Sequence, residues 1–238
     1  MPEAPGRRDT SRPAPPVAKR TTVEERRAEI LDVTCEVVIE RGFAATRIAD
    51  VAQKLGVSTG LIHYHFDSKE QLLAEAFKYA ARQEMASLEE DLAAAPNAVA
   101  MLDRVFQNYI PGQDDHDWLM WVDSWGEALR NKAMRAISEE LDIESTAIIE
   151  RVLRHGVETG EFTCADPSAS AWRLAALLDG LGIQLTVHDG VITRDQLVAH
   201  VRVVAISELG LPPDAFTARN LRRKSPRPSP YASATRSR

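Results

Sequence analysis

Between Val23 and Phe216 the apolar residues of this chain return every three or four positions, and no run alternates apolar with polar long enough to build a half-buried strand. A chain patterned this way buries its apolar stripes by packing helix on helix, so the fold class read from it is all-α. From Val23 to Arg41 the inward positions are Ile30, Leu31, Val33, Val37 and Val38, and Gly42 stands where a C-cap glycine stops a helix. A second, short helix from Arg47 to Leu55 buries Ile48, Val51, Ala52 and Leu55 and ends at Gly56. Ser58 then offers an N-cap for a third.

Two short helices that meet across Gly56 and Val57 make the helix-turn-helix pattern, whose first helix lies across the DNA backbone while the second enters the major groove. In the second, VSTGLIHYHF (Val57 to Phe66), Leu61, Ile62 and Phe66 supply inward anchors and leave Thr59, Gly60, His63 and Tyr64 for another surface. Small residues at the start of such a helix allow close approach to base edges. Tyr64, His65 and Lys69 can donate to phosphates, and the helix that starts near Ser68 adds backbone donors with a favourable dipole. The spacing also fits a plain amphipathic turn with an incidental aromatic cluster.

The stretch GFAATRIADVAQKLGVSTGLIHYHFDSKEQLL (Gly42 to Leu73), within residues 23 to 85, resembles the DNA-binding domain of the TetR family of bacterial transcriptional repressors. The resemblance implies an N-terminal three-helix helix-turn-helix domain, a fourth helix leading from about Lys69 into a larger helical ligand-binding and dimerisation domain, and a homodimer on a palindromic double-stranded DNA operator. It implies base reading by Thr59, Gly60, Leu61 and His63 and phosphate contacts by Tyr64, His65 and Lys69. The sequence departs from the family pattern at His63, where many members have Tyr, and at Arg47, where Thr or Ser usually caps the second helix. Arg47 then either shifts the helix start or adds a phosphate contact, with Thr46 as substitute cap; both join the candidate DNA-binding residues.

Charge divides the chain. The net −6 combines +3 over residues 1–22, −3 over 23–85, −13 over 86–216 and +7 over 217–238. Both basic ends are rich in Pro, Ser and Arg and too poor in apolar residues to offset the entropy of ordering, so each is expected to be disordered, as a phosphate-attracting arm or a solvated tail. The expected organisation is a basic arm (1–22), a helix-turn-helix domain (23–68), a helical ligand-binding and dimerisation domain (69–216) and a basic tail (217–238).

Several classes lack support. No apolar h-region follows the N-terminal basic residues, and no stretch approaches the roughly 18 apolar residues of a membrane span. A cytoplasmic protein is expected, and Cys35 and Cys164, without metal or disulfide spacing, suit that compartment. There is no P-loop, dinucleotide turn, nucleophile elbow or zinc spacing, so neither catalysis nor a cofactor is expected. His63 and His65, two apart on a helix, point about 200° from each other and cannot share one ion as an i, i+4 pair does. The carboxylates of DDHDW (Asp114 to Trp118) suit a helix start, and no metal is assigned to them.

In the acidic region, WLMWVDSWGEALRNKAMRAI (Trp118 to Ile137) puts Trp118, Trp121, Val122, Trp125 and Leu129 on one arc, with Asp123, Glu127 and Arg130 opposite. Core packing accounts for such an arc. Alternatively, Trp121 and Trp125, with Phe106 and Tyr109 from the preceding helix, line a ligand pocket. In SAWRLAALLDGLGIQLTVH (Ser170 to His188), Trp172, Ala176, Asp179 and Ile183 share a face, and the Asp179 carboxylate needs either an internal hydrogen bond or a cation from a ligand. Leu174, Leu178, Leu181 and Leu185, matched by Leu197, Val201, Val204 and Ala205, suggest a dimer interface built as a four-helix bundle from two chains.

The runs WLMWVDSWGEAL, HGVETGEF and AALLDGLGIQL resemble the subset of the family that includes the betaine-responsive regulator of choline metabolism. That resemblance, with the −13 balance, points to a cationic amine or quaternary ammonium effector, with a neutral hydrophobic one as the alternative. The expected function is a ligand-responsive repressor. Its rival is an architectural DNA-binding protein with the same reader and no effector, and a real cavity around Trp121 and Asp179 separates the two.

Overall fold

Gly42 shows how local chemistry sets this architecture. The computed structural model describes residues 22–112, 116–188 and 190–217, and every regular element among them is a helix. The first, α1 (Val23–Ala45), is opened by a capping box in which the Thr22 hydroxyl accepts from Glu25 N–H and the Glu25 carboxylate accepts from Thr22 N–H. Gly42 breaks it with φ +78° and ψ 162°, but one more turn, Phe43 to Ala45, runs on beyond the break. The glycine was expected to end the helix; it redirects it instead, because it alone tolerates that φ.

After the break, Thr46 is buried and turns back, its N–H and hydroxyl both donating to the Gly42 carbonyl, at 3.2 and 2.8 Å. The expectation that Thr46 caps the second helix is therefore corrected. Arg47 is the N-cap of α2 (Ile48–Leu55), and Asp50 completes the cap by accepting from Arg47 N–H at 3.1 Å. Gly56, in the left-handed region at φ +74°, ends α2, and Ser58 caps α3 (Thr59–His65) by accepting from Leu61 N–H. Ser68 does the same for α4 (Lys69–Ala93) through Gln71 N–H.

The larger part comprises α5 (Ala98–Tyr109), α6 (His116–Ala128), α7 (Lys132–Glu158), α8 (Pro167–Val187) and α9 (Arg194–Leu209). The long α4 packs on α1 at one side and α7 at the other; α7 also covers α5, α6 and α8, and α9 packs on α8. Two apolar clusters result. One holds Ile30, Val38, Phe43, Ile62, Phe66 and Phe77 and continues into Met120, Met134 and Leu141; the other holds Leu88, Leu102, Phe106, Leu153, Leu174 and Val201. The core of the three-helix reader thus does not stop at residue 68, because α6 and α7 supply part of it. Phe77 sits at the seam, edge-on to Phe43 at 6.0 Å and to Trp121 at 5.0 Å.

The stripes expected to pair two chains divide here: Leu181 and Leu185 are half-buried and Val204 is exposed. Leu174, Leu178, Leu197, Val201 and Ala205 are buried inside the protomer, where they form the seam between α8 and α9. Further outward apolar residues of this end are Trp172, Val187, Val191 and Val203, each more than half exposed. Leu129 also leaves its expected arc: it lies beyond the end of α6 and is 71% exposed. Cys35 is buried, with its thiol donating to the Ala76 carbonyl, and both cysteines are free. No helix among the described residues is long and apolar enough to cross a membrane. The arm, apart from Thr22, and the tail, apart from Thr217, lie outside the described residues, as do Asp114 and Asp115 of the DDHDW run.

Candidate functional site

The reading face forms because α3 is anchored by only a few side chains. Ile62 and Phe66 are fully buried, and Leu61 is half-buried. Thr59, Gly60, His63 and Tyr64 are exposed, Tyr64 at 73%, and its ring meets the half-buried His65 edge-on at 5.1 Å. Arg47 is exposed at the start of α2 beside this face. The half-buried Lys69 donates to the Ala44 carbonyl at 3.1 Å, so its ammonium is held against the turn that follows α1. An ammonium has three donors, which leaves capacity for a phosphate. Thr46, by contrast, is 1% exposed with its hydroxyl spent on Gly42, which removes it from the candidate DNA-binding residues.

Behind the reader, α4 to α8 line a half-open cavity of about 550 Å³. That is within the roughly 300–1,000 Å³ usual for small-molecule sites. Trp118, Trp121 and Trp125 from α6 form one wall, and Trp172 and Asp179 from α8 face them. The indoles pack edge-on or tilted, Trp118 to Trp125 at 5.8 Å and Trp121 to Trp125 at 6.3 Å. Gly182 permits this wall, since a Cβ there would meet the Trp118 ring at 2.5 Å. The Trp121 indole N–H donates to Glu84 at 3.2 Å and that of Trp125 to Asp142 at 3.4 Å, so each carboxylate orients a ring. Tyr109 donates to the Ser145 carbonyl at 2.9 Å.

Of the expected pocket residues, Tyr109, Trp121, Trp125 and Asp179 are brought together here. Phe106 is not: it is buried in the second cluster, with its ring 5.9 Å from that of Phe216. The register that puts Tyr109 on the cavity carries Phe106, three residues earlier, onto the part of α5 that faces the C-terminal segment. Glu84, Asp142 and Trp118 went unassigned; only Trp118, already on the aromatic arc, carried a sequence signal.

The electrostatics of the cavity are one-sided. Asp179 has no hydrogen-bond or ion-pair partner among the described residues, so none of these supplies the internal hydrogen bond weighed from sequence. Burial pushes its carboxyl up to about 6, and the neighbouring Asp142 adds to the shift. Burial also raises Asp142, against the hydrogen bond from Trp125 that lowers it. Burial raises Tyr109, the Ser145 side chain works against that rise, and Glu84, Asp179 and Asp142 add to it. Three carboxylates from three helices thus bear on one phenol, amid electron-rich indole faces that attract cations. The one arginine on the lining, Arg135, is tied to the Ala128 and Leu129 carbonyls.

Comparison with known proteins agrees with both parts. Residues 30–76 match the family described as bacterial regulatory proteins, tetR family, and residues 96–209 that described as BetI-type transcriptional repressor, C-terminal. The chain is 27% identical over 168 residues to the transcriptional regulator BetI of Burkholderia thailandensis, covering 68% of this chain and 82% of that protein. It is 25% identical over 201 residues to the transcriptional repressor KstR2 of Rhodococcus jostii, covering 83% and 98%. A shorter match, 30% over 101 residues to the regulator YerO of Bacillus subtilis, covers 41% of this chain and 35% of that protein. Among solved structures, a transcriptional regulator from Saccharomonospora viridis crystallised in complex with choline superimposes with a TM-score of 0.69 at 29% identity, over 78% of this chain and 98% of that one. The cavity is the feature that sets a ligand-responsive regulator apart from an architectural protein. With reader, cavity and both matches in register, the chain belongs to the TetR family of bacterial transcriptional regulators, carries a BetI-type C-terminal domain, and is a ligand-responsive DNA-binding repressor.

Proposed function

We propose that the protein acts in the bacterial cytoplasm as a homodimer on a palindromic operator and is released when a quaternary ammonium or similar organic cation fills the cavity. The observation that carries the effector class is Asp179, a half-buried carboxylate without a partner among the described residues, facing a wall of indoles. A permanent cation would satisfy the charge and stack on the rings. The choline bound by the Saccharomonospora viridis regulator is of this class.

The dimer rests on the outward apolar residues Val187, Val203 and Val204, which a second copy would cover. Two copies related by a two-fold axis would present their α3 helices to successive major grooves, about 34 to 36 Å apart. Thr59, Gly60, Leu61 and His63 would then read bases, while Arg47, Tyr64, His65 and Lys69 hold phosphates. Effector binding stabilises a conformation with a different spacing, so the operator is lost.

Genomic-fragment selection with purified protein, read by footprinting at physiological salt, tests the operator. A single palindromic site is the expected result, whereas weak, sequence-independent and salt-sensitive binding would contradict the reading. Titration of tryptophan fluorescence with choline and larger organic cations tests the effector class, which fails if only neutral apolar compounds bind.

A further inference from the structure

We propose that Asp123 is the positioning residue through which the cavity and the reader act on each other, by a hydrogen bond to the backbone at the break in α1. Trp121 and Trp125 face the cavity, and Asp123, two positions from each, lies about 160–200° round the helix on the opposite side. There its Oδ2 accepts from Phe43 N–H at 2.7 Å. Phe43 follows Gly42 directly, and Gly42 leaves room for the carboxylate: a Cβ on it would sit 3.1 Å from Asp123 Oδ2.

The turn that Asp123 grips is where the reader is assembled. Thr46 is bound to the Gly42 carbonyl ahead of α2, and Lys69, at the start of α4, is bound to the Ala44 carbonyl. The Phe43 side chain is fully buried and touches Phe77, which touches Trp121. Beside the hydrogen bond lies a cleft of about 170 Å³ lined by Val38, Ile39, Leu119 and Met120, so the bond sits at the edge of the packed contact between α6 and α1. A shift of α6 at the tryptophan wall therefore reaches the reader by two routes, one apolar through Phe77 and one polar through Asp123. The polar route is directional and breaks over a fraction of an ångström, as a switch requires.

Coupling between two sites is reciprocal, so the test does not need the effector. Full-length protein is bound to its operator, and amide hydrogen exchange is followed in peptides covering 116–128. Operator binding is expected to slow exchange across α6 in the wild type. Asp123→Ala should still bind operator but lose most of that slowing, and Asp123→Asn, which keeps an acceptor oxygen, should restore it. Gly42→Ala, strained at positive φ and crowding the carboxylate, should behave like Asp123→Ala. If α6 does not respond in the wild type, if Asp123→Ala responds fully, or if Asp123→Asn matches Asp123→Ala, the proposal falls. Should Asp123→Ala not fold, the Asn and Gly42 variants decide it by the same readout.

A second arm uses choline as the probe. In the wild type choline is expected to weaken operator binding on the order of 5–150-fold, and in Asp123→Ala at least fivefold less, with choline affinity within about twofold. This arm rests on the effector class proposed above. If choline fails to bind the wild type, choline is lost as the effector, and the exchange experiment still decides the role of Asp123.

Discussion

The reader and the sensor are built from the same element and differ in where their information lies. In the reader, the residues that matter are neighbours in sequence: Gly56 turns the chain, Ser58 caps α3, and Ile62 and Phe66 anchor it while His63 and Tyr64 stay outside. In the sensor, the residues that matter come from five helices, with Glu84, Tyr109, Trp125, Asp142 and Asp179 meeting only in the fold. Local chemistry suffices for a surface presented to a rigid duplex. A cavity needs several long helices in register, and its chemistry is set by what faces what.

The seam between the regions can be broken outright. Phe77 is 1% exposed and touches both Phe43 and Trp121, so Phe77→Ala should destabilise the whole protein by about 3–5 kcal/mol, read as a lower Tm with reader and sensor unfolding together. A next, smaller change should affect the sensor alone. Asp179→Ala should weaken binding of an organic cation on the order of 10–100-fold and leave operator affinity unchanged, measured by titration of tryptophan fluorescence and by filter binding.

Acid should act in the same direction. The Asp179 carboxyl titrates near 6, so as pH falls below that value affinity for a permanently charged cation should drop by up to roughly tenfold per unit. Without effector the sign is opposite for stability. A carboxyl whose folded value is raised above 3.8 binds its proton more readily when folded, so this group favours the folded state increasingly as pH falls from about 6 towards 3.8.

On the reader the effects separate by type. His63→Ala should relax preference at particular base pairs by about 1–3 kcal/mol, and Lys69→Ala should weaken binding to all sequences and reduce the salt slope by about one. Uniform loss in both variants would break the division between base reading and phosphate holding.

How much of this was legible follows the same divide. The helices, their caps at Ser58 and Gly56, and the outward residues of α3 were readable, because each signal lies within one turn of its effect. Thr46 was misplaced because its hydroxyl has two partners about equally near in sequence, the N–H donors at the start of α2 ahead and the Gly42 carbonyl behind, and only the redirected chain after Gly42 selects one. Leu129 falls one residue outside the helix because α6 ends at Ala128, and Arg130 and Asn131 N–H both return to the Glu127 carbonyl. Phe106 and Tyr109 are three apart, and periodicity gave them a common face without revealing that α5 meets two neighbours there. Asp123 was correctly set opposite the tryptophans, but its partner Phe43 lies 80 residues away. Leu174, Leu178, Leu197, Val201 and Ala205 of the α8 and α9 stripes pack within the chain while Val204 stays exposed, and a stripe does not say how its cover divides between one chain and two.

The most direct test of the central claim compares choline with its neutral carbon isostere, in which a tert-butyl group replaces the trimethylammonium, for release of the operator-bound protein. Shape and apolar area are nearly the same, so the difference reports charge. The account predicts that the cation dissociates the complex and that Asp179→Ala abolishes the difference. Equal potency of the two compounds on the wild type would contradict it.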